Sequence, residues 1–278
     1  MQLGIRVHDG EKLPLEELLP ILRSRGFSCG HIALSKSISG ISVDNSALTP
    51  GFAMYLRRLF EENSMDIAVL GCYLNLANPD SDALSKITEK YLAHIRFASH
   101  LQCGVVGTET GAPNKEYKYE PACRSDEALA TFIKNLKPVV EYAEKMGVLF
   151  AIEPVWKHIV YSPKRARIVL DEINSPNLRI IFDPVNLLGI ENYKERDKIF
   201  DEAMTLLGKD IAVVHIKDFV VEDGGLKSVA AGEGDMDYTA IMRFIKKEKP
   251  YIHATLENTT PDNAEKSRKL IQSIWDKA

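Results

Sequence analysis

Residues 148–153 read VLFAIE, residues 179–183 RIIFD, residues 211–215 IAVVH and residues 252–257 IHATLE. Each is an apolar run closed by one side chain able to ligate a metal: Glu153, Asp183, His215 and Glu257. Continuous apolar runs, as opposed to alternating ones, are the pattern of parallel strands covered on both faces. A strand that ends in a lone carboxylate or imidazole presents that group at its carboxyl end. Four such strands in succession converge their tips if the sheet closes into a barrel. The carboxyl end is where barrel enzymes hold their chemistry.

Four earlier runs have the same character, at 2–8 (QLGIRVH), 28–34 (SCGHIAL), 66–74 (DIAVLGCYL) and 103–109 (CGVVGTE). Helix-like segments fill the gaps. Leu84, Ile87, Tyr91 and Ile95 fall at helical spacing, as do Leu129, Phe132, Leu136, Val140 and Ala143. Pro138 should kink or interrupt the second of these. Ser162-Pro163 and Thr260-Pro261 each read as an N-cap followed by proline at the first helical position. Gly26 and Gly147 stand where helices should stop. Eight strands alternating with eight helices imply parallel pairing through right-handed crossovers. An open doubly wound sheet competes, but eight units in 278 residues favour a closed (β/α)8 TIM barrel, a single domain over 1–278. The longest irregular stretches, 110–123 and 219–236, should line its catalytic rim.

Composition excludes several classes. With 45% hydrophobic and 27% charged residues and a net charge of −4, nothing attracts polyanions. Nucleic acid and anionic membrane are therefore poor partners. No apolar stretch approaches the length of a membrane span, and the amino-terminal MQLGIRVHDG lacks the features of a signal peptide. Cys29, Cys72, Cys103 and Cys123 are widely separated. Reduced, buried thiols in a cytoplasmic protein are the simplest reading.

Three carboxylates meeting at one barrel mouth repel. A pair 4 Å apart costs roughly 4 kcal/mol at an effective dielectric of 20. Either pKa values rise or a cation sits among them. Taken singly, each of the four residues is more simply a rim ion pair or helix cap. Their occurrence on four successive strands favours a metal site. One imidazole with three carboxylates is an oxygen-rich set suited to Mn, with Mg, Co or Zn as alternatives.

The motifs Glu153-Pro154-Val155, Phe182-Asp183-Pro184, Val214-His215-Ile216-Lys217-Asp218, Gly232-Glu233-Gly234-Asp235-Met236-Asp237 and Thr255-Leu256-Glu257-Asn258 resemble those of the sugar isomerase/epimerase superfamily. These are the xylose isomerase-like barrels, which include ketose 3-epimerases and inosose-handling enzymes. The resemblance covers nearly the whole chain and is strongest from residue 148. It implies that Glu153, Asp183, His215 and Glu257 hold a divalent ion. It further implies that Glu153 and Glu257 flank the substrate carbon and move its proton through a metal-stabilised enediolate. The residue types suit this chemistry: the charge left on oxygen needs a Lewis acid and the proton needs a base. Barrels of this family often pair, so the resemblance allows a homo-oligomer without fixing the oligomeric state. Two departures touch substrate contacts. The ketose epimerases carry His where this chain has Asn186. They carry Arg a few positions after the strand-end His, where this chain reads Lys217-Asp218-Phe219-Val220-Val221.

Further candidates for substrate contact are His8, Glu109, Trp156, His158, Asn186 and Lys217. A buried structural histidine explains His8 equally well, and a loop-stabilising carboxylate explains Glu109. Trp156 could stack on a sugar face, with loop packing as the plain alternative. His158 is the favoured polar contact of its loop. Of Lys217 and Asp218, adjacent on a strand, at most one faces the mouth, and Lys217 is favoured. Tyr73 and Asn75 could line the pocket, but packing explains them as well. His31, His94, His100 and His253 read as structural, although His253 could face the barrel interior. The expectation is a divalent-metal-dependent isomerase or epimerase of a small carbohydrate. A metal-dependent lyase on the same site, dehydrating or cleaving a sugar conjugate, is the alternative. A non-catalytic sugar-binding barrel ranks below both.

Overall fold

Eight parallel strands close into a barrel in a computed structural model that describes residues 1–278. In chain order the strands are β1 (Gln2–Arg6), β2 (Cys29–Ile32), β3 (Asp66–Gly71), β4 (Val105–Glu109), β5 (Leu149–Glu153), β6 (Leu178–Phe182), β7 (Ile211–Ile216) and, after a two-stranded hairpin β8 (Asp218–Glu222) and β9 (Gly225–Val229), β10 (His253–Leu256). Around the barrel they run β1-β10-β7-β6-β5-β4-β3-β2. The helices are α1 (Leu15–Ser24), the single turn α2 (Leu34–Ser37), α3 (Pro50–Glu62), α4 (Ser81–Leu101), α5 (Asp126–Met146), α6 (Pro163–Ile173), α7 (Arg196–Leu207), α8 (Thr239–Glu248) and α9 (Ala264–Lys277).

The apolar residues divide between two cores. The larger, of 66 buried residues, includes residues such as Phe150, Ile152, Phe182 and Val214. The smaller has seven: Cys29, Ala68, Val69, Val105, Ala151, Ile181 and Val213. Ala151, Ile181 and Val213 each stand two residues before a strand-end Glu153, Asp183 or His215, so they share the inward face with it. Seven small residues fill only the lower interior, which leaves the upper layer to polar side chains. Gly4 belongs to this tight interior: a Cβ there would lie 2.2 Å from the Cys29 carbonyl oxygen. All four cysteines are free and buried.

Four local expectations need correction. α5 runs unbroken through Pro138. The carbonyl freed by the missing N–H is that of exposed Lys134, where water can take the bond. Ser162 does cap α6, its Oγ accepting from the Arg165 N–H at 3.4 Å. Thr260-Pro261 instead forms a turn before α9, with the Thr260 N–H bonded to Asn263 Oδ1 at 2.8 Å. Residues 219–236 are not wholly irregular, because β8 and β9 form an antiparallel hairpin. Its turn places Asp223 at φ 52° and Gly224 at φ 72°, the left-handed pair that an Asp-Gly hairpin needs. His253 belongs to the opposite end of the barrel from the strand tips. It pairs with Asp66 Oδ2 at 3.0 Å beside the start of β3.

Candidate functional site

Strand register brings the predicted residues to one mouth. Glu109 and Glu153 are register partners on β4 and β5. His215 partners Thr255 on β10, and the next residues align Glu257, whose N–H bonds the Ile216 carbonyl at 2.9 Å. Glu153, Asp183, His215 and Glu257 are all buried. His215 Nδ1 lies 3.3 Å from Glu153 Oε2 and 3.3 Å from Glu257 Oε1. Ligand atoms of Glu153, Asp183 and His215 lie within 4.8 Å of one another, as do those of His31, His215 and Glu257. His215 is the member common to both groups.

Lys217 enters the same cluster. Its Nζ sits 2.6 Å from Asp183 Oδ2 and 3.1 Å from Glu257 Oε2, in full burial. Asp218 faces the other way. Its carboxylate accepts from the N–H groups of Phe219, Gly232 and Met236 and ties down the loop after β7. Asn186 occupies the position of the expected histidine and touches two of the quartet. Its Nδ2 donates to Glu153 Oε1 at 2.5 Å and its N–H to Asp183 Oδ1 at 3.0 Å. Glu109 accepts from the Tyr117 hydroxyl at 3.2 Å, and His158 Nδ1 stands 3.8 Å from the same oxygen. His8, after β1, is half-buried with its Nδ1 unbonded. Trp156 is on the outer rim, donating from Nε1 to Glu191 at 3.1 Å. One face of its ring is covered by the Arg124 guanidinium at 4.1 Å.

Two members, His31 and Arg6, were not legible as site residues, and the sequence leaves Tyr73 open between pocket and packing. His31, assigned to packing from sequence, stacks on His215 with ring centroids 5.2 Å apart and has its Nδ1 4.0 Å from Glu257. Tyr73 lies behind it, its hydroxyl 3.2 Å from His31 Nε2. Arg6 reaches Glu257 Oε2 at 3.6 Å. Asn75, by contrast, is a loop fastener: its Nδ2 donates to the Ala112 and Asn114 carbonyls.

Electrostatics follow from burial and neighbours. Burial, then the nearby Glu153 charge, pushes Glu109 up to about 7. Burial pushes Asp183 up to about 6 despite Lys217 beside it. Burial would also raise Glu257, but the charges of His215, Lys217 and Arg6 outweigh it and hold this carboxyl well below the ordinary range. Burial opposes charge on His215, yet Glu257 and Glu153 overcome it and raise the imidazole to about 9. Burial lowers His158 and His8 to about 4 and drives His31 down further from its ordinary value. The carboxylates therefore hold positive charge on His215.

A closed parallel barrel with a polar, carboxylate-rich mouth defines the class. The chain matches the family described as xylose isomerase-like TIM barrel over residues 43–274, and it belongs to that family. Among solved structures it is similar to a D-tagatose 3-epimerase-like protein (20% identity, TM-score 0.77, covering 99% of this chain and 97% of that one). It is also similar to an IolI protein with a bound zinc atom (18%, TM-score 0.75, 100% and 99%). A third is the probable 3-DHS dehydratase AsbF of Bacillus anthracis (15%, TM-score 0.75, 98% and 99%). At these identities the likeness is one of fold. No curated protein matches the chain in sequence. No helix is long and apolar enough to cross a membrane.

Proposed function

We propose that this protein is a divalent-metal-dependent isomerase or epimerase of a small polyhydroxy carbonyl compound. The observation that carries the reading is the buried quartet itself: Glu153 and Glu257 on either side of His215, with Asp183 adjoining. The residues fit a metal ion. His215 Nε2 is buried without a hydrogen-bond partner, and such an orphan is costly unless something binds it. Glu153, Asp183, His215 and Glu257 would hold the ion. One imidazole with three carboxylates is a hard set, for which Mn is our choice over Mg, Co or Zn. When bound, the ion supplies a Lewis acid for the negative charge that develops on the substrate oxygens.

The chain's own groups do the proton work. Lys217 and Arg6 keep Glu257 ionised, as a base must be. The Asn186 amide fixes one oxygen of Glu153, leaving the other toward His215. A proton removed by one carboxylate and returned by the other, from opposite faces of the carbon, gives epimerisation. Return to the neighbouring carbon gives isomerisation. Glu109, its carboxyl raised to about 7, is partly protonated near neutral pH and in that form can donate to a sugar hydroxyl. His158 and His8, both neutral, can donate or accept.

Lys217 favours one second reading. A buried ammonium beside the base could hydrogen-bond a departing hydroxyl and offset the charge developing on it, which would make the reaction an elimination. Product mass separates the two, since isomerisation conserves mass and dehydration does not. For the main reading, protein stripped by chelator and reloaded with Mn is incubated with ketoses and inososes in deuterated water. Deuterium should enter the carbon beside the carbonyl, and Glu153→Gln and Glu257→Gln should each slow it at least ~100-fold. Metal-loaded protein that exchanges no proton on any of these compounds would defeat the reading.

A further inference from the structure

Arg124 lies on the rim in an unusual setting. It ends the short turn 121–124 in the loop between β4 and α5. Its guanidinium carbon sits 4.1 Å from the Trp156 ring centroid and 4.4 Å from that of Tyr161. These two rings meet edge to face at 6.1 Å and 87°. Perpendicular rings allow the planar guanidinium to stack face-on with at most one of them, and such stacking leaves N–H donors for in-plane hydrogen bonds. Only Nε has a partner, the Tyr119 hydroxyl at 3.4 Å. The acidic neighbours are already engaged: Asp126 pairs with Arg165 at 3.2 Å, and Glu191 accepts from the Trp156 indole.

The setting is also rigid. Arg165, itself buried, donates to the carbonyls of Arg124, Ser125 and Ile159 at 3.3, 2.6 and 3.0 Å. It thereby fastens the loop after β4 to the loop after β5. Trp156 in turn is bonded through its N–H to the Asn186 carbonyl at 2.7 Å, and the Asn186 side chain touches Glu153. Trp156 follows Glu153 by three positions, a span of at most ~11 Å between their Cα atoms. Arg124 is therefore held on the rim beside Trp156, with terminal donors that no protein group uses.

We propose that Arg124 binds an anionic group, a phosphate or a carboxylate, carried by the substrate at the end away from its carbonyl. A fixed fork of N–H donors matches either oxyanion bidentately. This deepens the function proposed above by assigning the substrate class, and it rests on that reading for the identity of the pocket.

Two measurements test it. In the first, inorganic phosphate is titrated into chelator-stripped protein at constant ionic strength, so that it cannot bind an ion. The readout is tryptophan fluorescence, since Trp156 is one of only two tryptophans. A saturable change is expected, at least ~10-fold weaker in Arg124→Gln and partly kept in Arg124→Lys. In the second, Mn-loaded enzyme is assayed for deuterium exchange on a neutral ketose, a ketose phosphate and a keto-acid sugar. The ratio of kcat/KM for the preferred anionic substrate to that for the neutral one should fall at least ~10-fold in Arg124→Gln. The preferred anion says whether phosphate or carboxylate is the natural group.

If Arg124 merely pins the two loops, Arg124→Gln slows all substrates alike with the ratio unchanged. That result, or a phosphate response identical in Arg124→Gln, overturns the proposal. Phosphate binding that depends on Arg124 in a protein exchanging no proton would instead defeat the function and leave the anion site standing.

Discussion

At the scale of single residues, Lys217 is the most informative side chain. It is the one ammonium placed among the quartet, bridging Asp183 and Glu257. Removing one partner of a buried charge cluster leaves the others uncompensated, typically at a cost of about 3–5 kcal/mol. Lys217→Met should therefore destabilise the metal-free protein by about 3 kcal/mol in urea unfolding. Saturating Mn should restore more stability to this variant than it adds to the wild type, because the ion then supplies the missing charge. Equal gains in both would contradict this. The four proposed ligands were legible because each closes an apolar run, and Lys217 followed from strand alternation. His31 was not legible. Its strand, Cys29–Ile32, is buried at all four positions, so no contrast between faces marks it out. Only register with β1 and β3 reveals that it points inward beside His215. Arg6 was hidden for a different reason: its long side chain reaches the site from a residue that does not close its run with a ligand-like group, whereas the sequence leaves Tyr73 open between pocket and packing.

At the scale of elements, the loops decide what the mouth can hold, and sequence patterns described them less well than the strands. The stretch 219–236 contains Val220-Val221-Glu222-Asp223-Gly224-Gly225, a β-branched run followed by Asp-Gly. That hairpin signal was present but unread. The Asp218 carboxylate, accepting three backbone N–H bonds, fastens this hairpin to the rim. In Asp218→Ala, amide hydrogen exchange across 230–237 should accelerate at least ~10-fold, while β5 and β6 stay protected. Unchanged exchange would show that packing alone holds the loop. Capping was legible at Ser162, whose side chain caps α6, but the cap of α5 was not read from the sequence. Ser125 Oγ accepts from the Ala128 N–H at 3.1 Å at the start of α5, and Ser125→Ala should cost about 1 kcal/mol in denaturant unfolding. A cost near zero would mean that the Arg165 bond to the Ser125 carbonyl suffices. Thr260-Pro261 misled because Asn263 closes a turn on Thr260 before the helix can begin.

At the scale of the whole molecule, the buried proton-bearing groups set the alkaline limit of stability. Burial pushes Cys72 up to about 12 and Cys103 up to about 11. It likewise raises Tyr91 and Tyr238. The unfolded chain loses these protons from an ordinary thiol value of 9 upward, while the folded chain keeps them. The stability they contribute is therefore fully present below pH 9 and is lost as pH rises toward 11–12. Urea midpoints should fall steadily above about pH 9, and a flat profile to pH 11 would contradict the burial of these groups. The closed barrel itself was readable because continuous apolar runs alternate with helical periodicity along the whole chain. What no run displays is the assembly at its mouth, where three carboxylates, an imidazole and a lysine share one buried volume. Calorimetric titration of chelator-stripped protein with Mn tests that assembly most directly. The account predicts one ion bound per chain, with affinity at least ~100-fold weaker in Asp183→Asn. No binding by the wild type, or equal binding by the variant, would contradict it.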